Sequence, residues 1–314
     1  MKKIMLLISS ITLLTTSCGQ NNTKLSTKEM NINNQIPLEK QVSYMLDAST
    51  SIPVIIYVDD IKVSEENTPL GTAIDLNPYL LKNGKHKIKL QIFPVFRLGD
   101  NLVSPEDISS CRLIFGSYIR ENQNGDIKDY NANFPLTLKI PTQAVPFFEQ
   151  EWEVEVKNLP YELEGWSKGQ DLRKLDQNQL EHKVVEYYKN LWNILNNGEG
   201  EKYISLWEKA DSELIEYDYE YKLNELNNDE IEKIKKYCKN NIIPLDDYEM
   251  KIYGDGKLVS LERKNHTMSF NNKSPLDIKG WSPLIRKGQK AGASNYRVKL
   301  YLPEGSNEFV IIRK

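Results

Sequence analysis

Apolar and polar positions change rhythm once along the chain. Up to about residue 160 they alternate. Ile88, Leu90 and Ile92 stand between Lys87, Lys89 and Gln91, and Trp152, Val154 and Val156 stand among Glu151, Glu153, Glu155 and Lys157. Phe134, Leu136, Leu138 and Ile140 repeat the pattern against Pro135, Thr137 and Lys139. Successive strand residues face opposite ways, so a period of two predicts strands with one dry face. Residues 54–58 are apolar throughout, as in a central strand. Several such runs, separated by turn signals such as Asn83-Gly84, predict an antiparallel β-sandwich over residues 40–160.

Residues 161–180 carry Gly165, Gly169 and many charges, and are read as a linker. Beyond them Val184, Val185, Tyr188, Leu191, Trp192 and Leu195 recur at helical spacing until Asn197-Gly198. A second helix is expected with Tyr203, Leu206, Trp207 and Ala210 inward, and a third around Ile231, Ile234 and Cys238, ended by Pro244. The period then returns to two through Tyr248, Met250 and Ile252, a Gly254-Asp255-Gly256 turn, 258–263, then His266, Met268 and Phe270, and later Tyr296, Val298, Leu300 and Leu302 and 309–312. The fold class predicted is two domains: an all-β antiparallel sandwich followed by an α+β domain over 181–314, helices first and a curved antiparallel sheet after.

The first residues obey neither rhythm. Two lysines, an apolar run from Ile4 to Leu14 and small polar residues leading to Cys18 form a secretory signal over 1–17. The apolar run is shorter than the ~20 residues a helix needs to cross a bilayer. Thr15-Thr16-Ser17-Cys18 resembles a bacterial lipobox, with Thr15 where that family usually has an aliphatic residue. The resemblance implies that Cys18 is acylated and becomes the first mature residue, with the protein lipid-anchored in the bacterial envelope; a plain secretory signal is the alternative. Gly19 follows the cysteine where inner-membrane retention usually needs Asp, which by the same resemblance implies the outer membrane. Residues 18–39 are rich in Asn, Thr, Ser and Lys and are expected to be a flexible tether.

Composition adds exclusions. Of 314 residues, 41 Lys+Arg against 44 Asp+Glu give a net charge of −3, without the basic surplus of a nucleic-acid binder. Cys111 and Cys238 both fall on apolar stripes and read as buried thiols, and no Cys/His metal spacing occurs, so neither a metal nor a cofactor is expected. No Gly-x-Ser-x-Gly, His-Glu-x-x-His or Walker-type motif is present.

Two further resemblances bear on the fold. The stretch Val58-Asp59-Asp60-Ile61, Ile74-Asp75-Leu76-Asn77-Pro78-Tyr79-Leu80 and Asn83-Gly84-Lys85-His86 resembles a corner of galactose-binding-like jelly rolls, which implies a sandwich and leaves sugar binding open. The Tyr187-Tyr188 to Leu191-Trp192 helix, its Asn196-Asn197-Gly198 break and the short helix after it are similar to the start of nuclear-transport-factor-2-like cones. That likeness implies a concave pocket between the first helix and the sheet. An extra acidic helical stretch at 211–232 departs from the cone pattern.

The pocket so implied is lined by Tyr188, Trp192, Met250, His266, Met268 and Phe270, with Trp281 from the long 271–295 segment at its mouth. Aromatic walls with few polar groups suit a small amphipathic ligand or a partner's apolar side chain. His266 is the one candidate for acid/base work, although no carboxylate partner is spaced for it. His86, on the face of Ile88 and Leu90, reads as structural. Asp218 and Glu220 in the acidic stretch, and Arg286 and Lys287 in the basic segment, are candidates for contact with a protein partner; a solvated face is the plain alternative. These readings predict a non-enzymatic, membrane-tethered binding protein. An immunity- or inhibitor-type lipoprotein is the second reading, and an enzyme using His266 the third.

Overall fold

A computed structural model describes residues 35–64, 69–95, 98–122, 126–265, 267–270 and 275–314. The signal, the lipobox with Cys18 and most of the tether lie outside the described residues, as does His266. In chain order the described elements are β1 (Val42–Pro53), β2 (Ile55–Val58), β3 (Ile61–Lys62), β4 (Pro69–Asp75), β5 (Gly84–Ile92), α1 (Pro105–Ser109), β6 (Arg112–Arg120), β7 (Ile127–Pro135) and β8 (Phe148–Val156). There follow α2 (Gln177–Asn197), α3 (Gly200–Ser205), α4 (Glu208–Tyr217), α5 (Leu223–Tyr237), β9 (Tyr248–Tyr253), β10 (Leu258–Arg263), β11 (Thr267–Met268), β12 (Leu276–Asp277), β13 (Ile285–Lys287), β14 (Ala293–Asn295), β15 (Lys299–Tyr301) and β16 (Val310–Arg313). The fold is thus dominated by antiparallel sheets, with five α-helices among the described residues.

Two four-stranded sheets, β4-β1-β6-β7 and β3-β2-β5-β8, share one core. Tyr44, Leu46 and Ala48 of β1 and Leu113 and Phe115 of β6 meet Ile56 and Val58 of β2, Ile88, Leu90 and Ile92 of β5 and Val154 and Val156 of β8. The alternation read from the sequence thus points Ile88, Leu90 and Ile92 inward. Residues 134–140 behave differently from their pattern. β7 ends at Pro135, Leu136 is buried, and Phe134 and Ile140 are both exposed. Beyond Pro135 side chains replace the ladder: Gln150 Oε1 accepts from Lys139 N, and Gln150 Nε2 and Trp152 Nε1 donate to Thr137 O.

The second half is organised around α2. Asp176 caps its start by accepting from Gln179 N, and Gly198 ends it at φ 73°, a left-handed conformation that glycine adopts without a Cβ penalty. Leu180, Val184, Tyr188, Leu191, Ile194 and Leu195 form its buried stripe. They pack with Val259 and Leu261 of β10, Leu300 of β15 and Ile311 of β16, on one face of the sheet β16-β15-β10-β9. The long segment 271–295, in which no period is read from the sequence, contains β12 and the β13–β14 hairpin with Ile278, Leu284 and Ile285 fully buried. Strands of two or three residues are too short to leave a readable period, which is why the pattern missed them.

Residues 35–314 form one compact unit. Residues 161–180, expected as a linker, run as a packed strap: Tyr161, Leu163, Trp166 and Leu172 are buried, Leu163 N donates to Leu81 O, and Gln170 N donates to Leu302 O. A third apolar cluster joins Ile61, Tyr57 and Leu81 to Trp166, Tyr253, Leu258, Tyr301 and Ile312. It lies on the face of the β16-β15-β10-β9 sheet opposite to α2.

Candidate functional site

The residues expected to line a cone pocket fall into two groups. Tyr188, Trp192 and Met250 belong to the α2 core, whereas Met268, Phe270 and Trp281 pack with Ile243, Ile278 and Ile285 in a separate cluster. The space expected to be a concavity beside Tyr188 is occupied by packed side chains. Tyr188 is fully buried, and its hydroxyl donates to Val298 O at 2.8 Å and accepts from Leu261 N at 3.1 Å. Burial pushes the Tyr188 phenol well up from its ordinary value, so it serves as a neutral clamp of α2 on β10 and the segment before β15. Trp192 Nε1 donates to Ile243 O at 2.6 Å, which ties the two clusters together. The helical and strand periods identified these residues as inward, and the bulk of Leu191, Leu195, Leu261 and Leu284 fills the interior they enclose.

The other face of the same strands lines a cleft. Pairing sets Glu249 opposite Glu262, Lys251 opposite Ser260 and Tyr253 opposite Leu258, so these residues share the face that turns away from Met250 and Leu261. Of these, Glu249, Lys251, Tyr253 and Glu262, with Arg263, Asp277, Lys279 and Gly280, form one wall of a cavity of about 350 Å³. The facing wall comes from the first half: Pro53, Val54, Ile55, Tyr57 and Gln91, then Phe93, Pro94 and Val95. One side is apolar and aromatic, the other charged, and the volume sits within the range of small-molecule sites, roughly 300–1,000 Å³.

The charged wall is largely neutralised from within. Lys62 Nζ lies 2.6 Å from Glu262 Oε2 and also donates to Gly280 O at 3.0 Å, with side-chain exposures of only 11% and 7% for the lysine and the glutamate. Tyr253 donates to Glu262 Oε1 at 2.7 Å. Lys251 pairs with Glu249 at 2.9 Å. The buried Arg263 guanidinium donates to Asp246 O at 2.6 Å and faces Asp247, and its Nε has no hydrogen-bond partner among the described residues. Lys279 makes no ion pair among the described residues. At the mouth Phe93 stacks on Phe147 with ring centroids 5.1 Å apart, and both are exposed. Leu98 and Leu102 are exposed on the segment joined to Val145 by the Val103 bridge. Leu98 N donates to Val95 O, which joins this exposed apolar segment to the cleft wall.

The remaining candidates have local partners. Asp218 pairs with Arg120 at 2.9 Å, and Glu220 accepts from Lys222 N at 2.6 Å. Tyr217 and Tyr219, interleaved with these acids, are buried in the core of the first half, so part of the acidic stretch is structural. Arg286 and Lys287 lie on β13; Arg286 is half-buried over the Tyr237 ring at 5.5 Å, and Lys287 is exposed. His86 Nδ1 lies 2.6 Å from Asp59 Oδ2 and its Nε2 lies 2.9 Å from Lys82 O. Burial works against its charge, but the Asp59 bond and charge and the Lys82 carbonyl together raise His86 above its ordinary value. Cys111 and Cys238 are free, buried thiols in different cores. Burial pushes Cys111 up to about 11 and raises Cys238 as well, which keeps both protonated.

Among the described residues no group of His, Cys, Asp and Glu is arranged to hold a metal ion, and no helix is long and apolar enough to cross a membrane. Comparison of the chain with protein-family models, with curated proteins and with solved structures finds no match.

Proposed function

We propose that this chain is a non-enzymatic binding lipoprotein of the bacterial cell envelope, tethered through an acylated Cys18, that holds a small amphipathic ligand in the cleft between its two halves. The observation that carries the reading is the cleft itself, an apolar wall at Ile55 and Phe93 facing a charged wall at Lys251, Arg263 and Lys279. The charged groups are mostly paired with one another, which suits selection and orientation of a ligand and leaves no acid and base poised for proton transfer. In the finer description proposed, residues 40–160 are a β-sandwich and 181–314 an α+β domain related to cone folds, joined by the strap at 161–180. The outer membrane is the proposed location. The exposed Phe93, Phe147, Leu98 and Leu102 favour one alternative, a protein partner whose apolar residues seat on the rim, as an inhibitor- or immunity-type lipoprotein requires.

Native mass spectrometry of the protein extracted from its own membranes tests the proposal. Wild type is expected to carry a non-covalent small-molecule adduct besides its acyl chains. The double variant Phe93→Lys, Lys279→Glu, which alters both walls at partly exposed positions, is expected to lose it. Wild type free of adduct in every preparation, or an adduct held equally by the variant, would overturn it.

A further inference from the structure

A second cavity, of about 360 Å³, opens between α5 and the β13–β14 hairpin, remote in sequence from most of the cleft and sharing no lining residue with it. It is lined by Lys233 and Tyr237 of α5, Arg286 of β13, Gly288 and Gln289 of the turn, and Tyr296. The lining contains two cations, two phenol rings and an amide, and no carboxylate. Arg286 is held in place twice: its guanidinium lies over the Tyr237 ring at 5.5 Å, and Nη2 donates to Ser294 Oγ at 3.3 Å. Its remaining N–H groups form no ion pair among the described residues. The Tyr296 hydroxyl lies 2.9 Å from Cys238 Sγ, which fixes that ring as part of the wall. Lys236 stands beside Tyr237, with its ammonium 4.9 Å from the ring centre. Lys287 and Lys290 are exposed on the same hairpin.

One acid stands nearby. Glu230 lies one helical turn before Lys233 and reaches its ammonium only at 3.9 Å, the loose end of ion-pair range. That carboxylate offsets part of the lysine charge, and it and Arg286 act with opposite sign on the Tyr296 phenol. A guanidinium kept rigid by stacking loses less freedom when it makes paired hydrogen bonds to a planar or tetrahedral oxyanion, and its fork matches both. The rings of Tyr237 and Tyr296 supply flat apolar surface next to it.

We propose that this cavity binds a small oxyanion carried on a ring, a phosphate monoester or carboxylate group held by Arg286 and Lys233 with the ring against the tyrosines. The site is independent of the cleft and of the ligand proposed for it. The test is calorimetric titration of the full-length, detergent-solubilised protein at low ionic strength with phenyl phosphate, benzoate and phenol as probes. Phenyl phosphate is expected to bind at one saturable site, benzoate more weakly, and phenol not measurably. Arg286→Gln should weaken phenyl phosphate at least tenfold, and Lys233→Gln, at an exposed side chain that the fold does not need, about threefold or more. Glu230→Gln should strengthen it, a gain that a purely structural role for these residues does not predict. Absence of saturable phenyl phosphate binding, equal binding of phenol, or unchanged affinity in both Arg286→Gln and Lys233→Gln would overturn the assignment.

Discussion

Removing the carboxylate of Glu213 should be strongly destabilising, because it faces a buried arginine. Arg313 is 2% exposed and Glu213 7%, and they meet at 2.8 Å between Nη2 and Oε2. The arginine also donates to Pro78 O and to Ile312 O, each at 2.6 Å, and lies over the rings of Trp166 and Tyr217 at 5.2 and 4.8 Å. Glu213 Oε1 accepts from Gly165 N at 2.9 Å and lies 3.2 Å from Lys209 Nζ. Glu213→Ala therefore leaves a buried guanidinium without its counter-charge and a buried N–H without its acceptor. Breaking one side of such a pair costs about 3–5 kcal/mol. At roughly 2–4 °C per kcal/mol for a body of this size, Tm should fall by about 6–20 °C. Because the desolvation of two charges offsets much of their attraction, Glu213→Leu with Arg313→Met should fall well short of the sum of the single losses. Urea unfolding followed by tryptophan fluorescence is a direct assay, since Trp166 stacks on the arginine. A Glu213→Ala loss under about 1 kcal/mol, or strict additivity in the double variant, would refute the reasoning.

Three further outcomes follow from the same structure. His86 gains stability from its charged form, so that contribution is complete below its ordinary value of 6.5 and is lost as pH rises through its raised folded value; the stability gap between wild type and His86→Gln should be wider near pH 5 than near pH 9, and an equal gap contradicts it. Tyr188→Phe leaves Leu261 N and Val298 O unpaired inside the core and should cost about 1–3 kcal/mol by denaturant titration; a neutral result would mean the clamp contributes nothing. Gly200→Ala places a Cβ 2.6 Å from Ile231 O and 2.8 Å from Ile231 Cα, so α3 and α5 must separate, whereas a Cβ on Gly71 meets nothing within 4 Å; calorimetry should show a lowered Tm for the first variant and none for the second.

Much of the framework was legible because period reports facing. The run Ile88, Leu90, Ile92 and the α2 stripe through Val184, Tyr188 and Leu191 reach the core on the side their spacing predicts. Period does not report what an inward face meets. Tyr188 and Met250 were correctly inward and lie against packed side chains, because whether an interior is hollow depends on the summed volumes of residues far apart in sequence. The cleft was invisible for the converse reason. Glu249, Lys251 and Glu262 occupy the polar positions of β9 and β10, which alternation assigns to solvent, and the wall that covers them comes from residues 53–57 and 91–95, roughly two hundred positions earlier. A weak signal existed: Tyr253 and Leu258, apolar and on the same face as those charges, mark an outer surface that is itself covered. Likewise Arg313 gives no hint in the sequence that it is the least exposed cation among the described residues.

The two faces of the β9–β10 pair bear on how the cleft can act. Its inner face is fixed to α2 through Leu261 and the Tyr188 clamp, and its outer face is fixed to the first half through Leu258, Tyr253 and the Lys62–Glu262 pair. Arg313 adds a tie from β16 to Pro78, and Arg120 adds one to Asp218. A hinge between the halves would have to break the buried Lys62–Glu262 pair and expose the Ile61, Trp166 and Ile312 cluster, each a cost of several kcal/mol by order of magnitude. Closure around a ligand by rigid-body rotation is therefore disfavoured, and the cleft is better suited to accept ligands that fit the shape it already has. What adjustment remains belongs to the rim, where Phe93, Phe147 and Leu98 are exposed. Selectivity should accordingly reside in the fixed charged wall, and the strength of apolar contact in the rim.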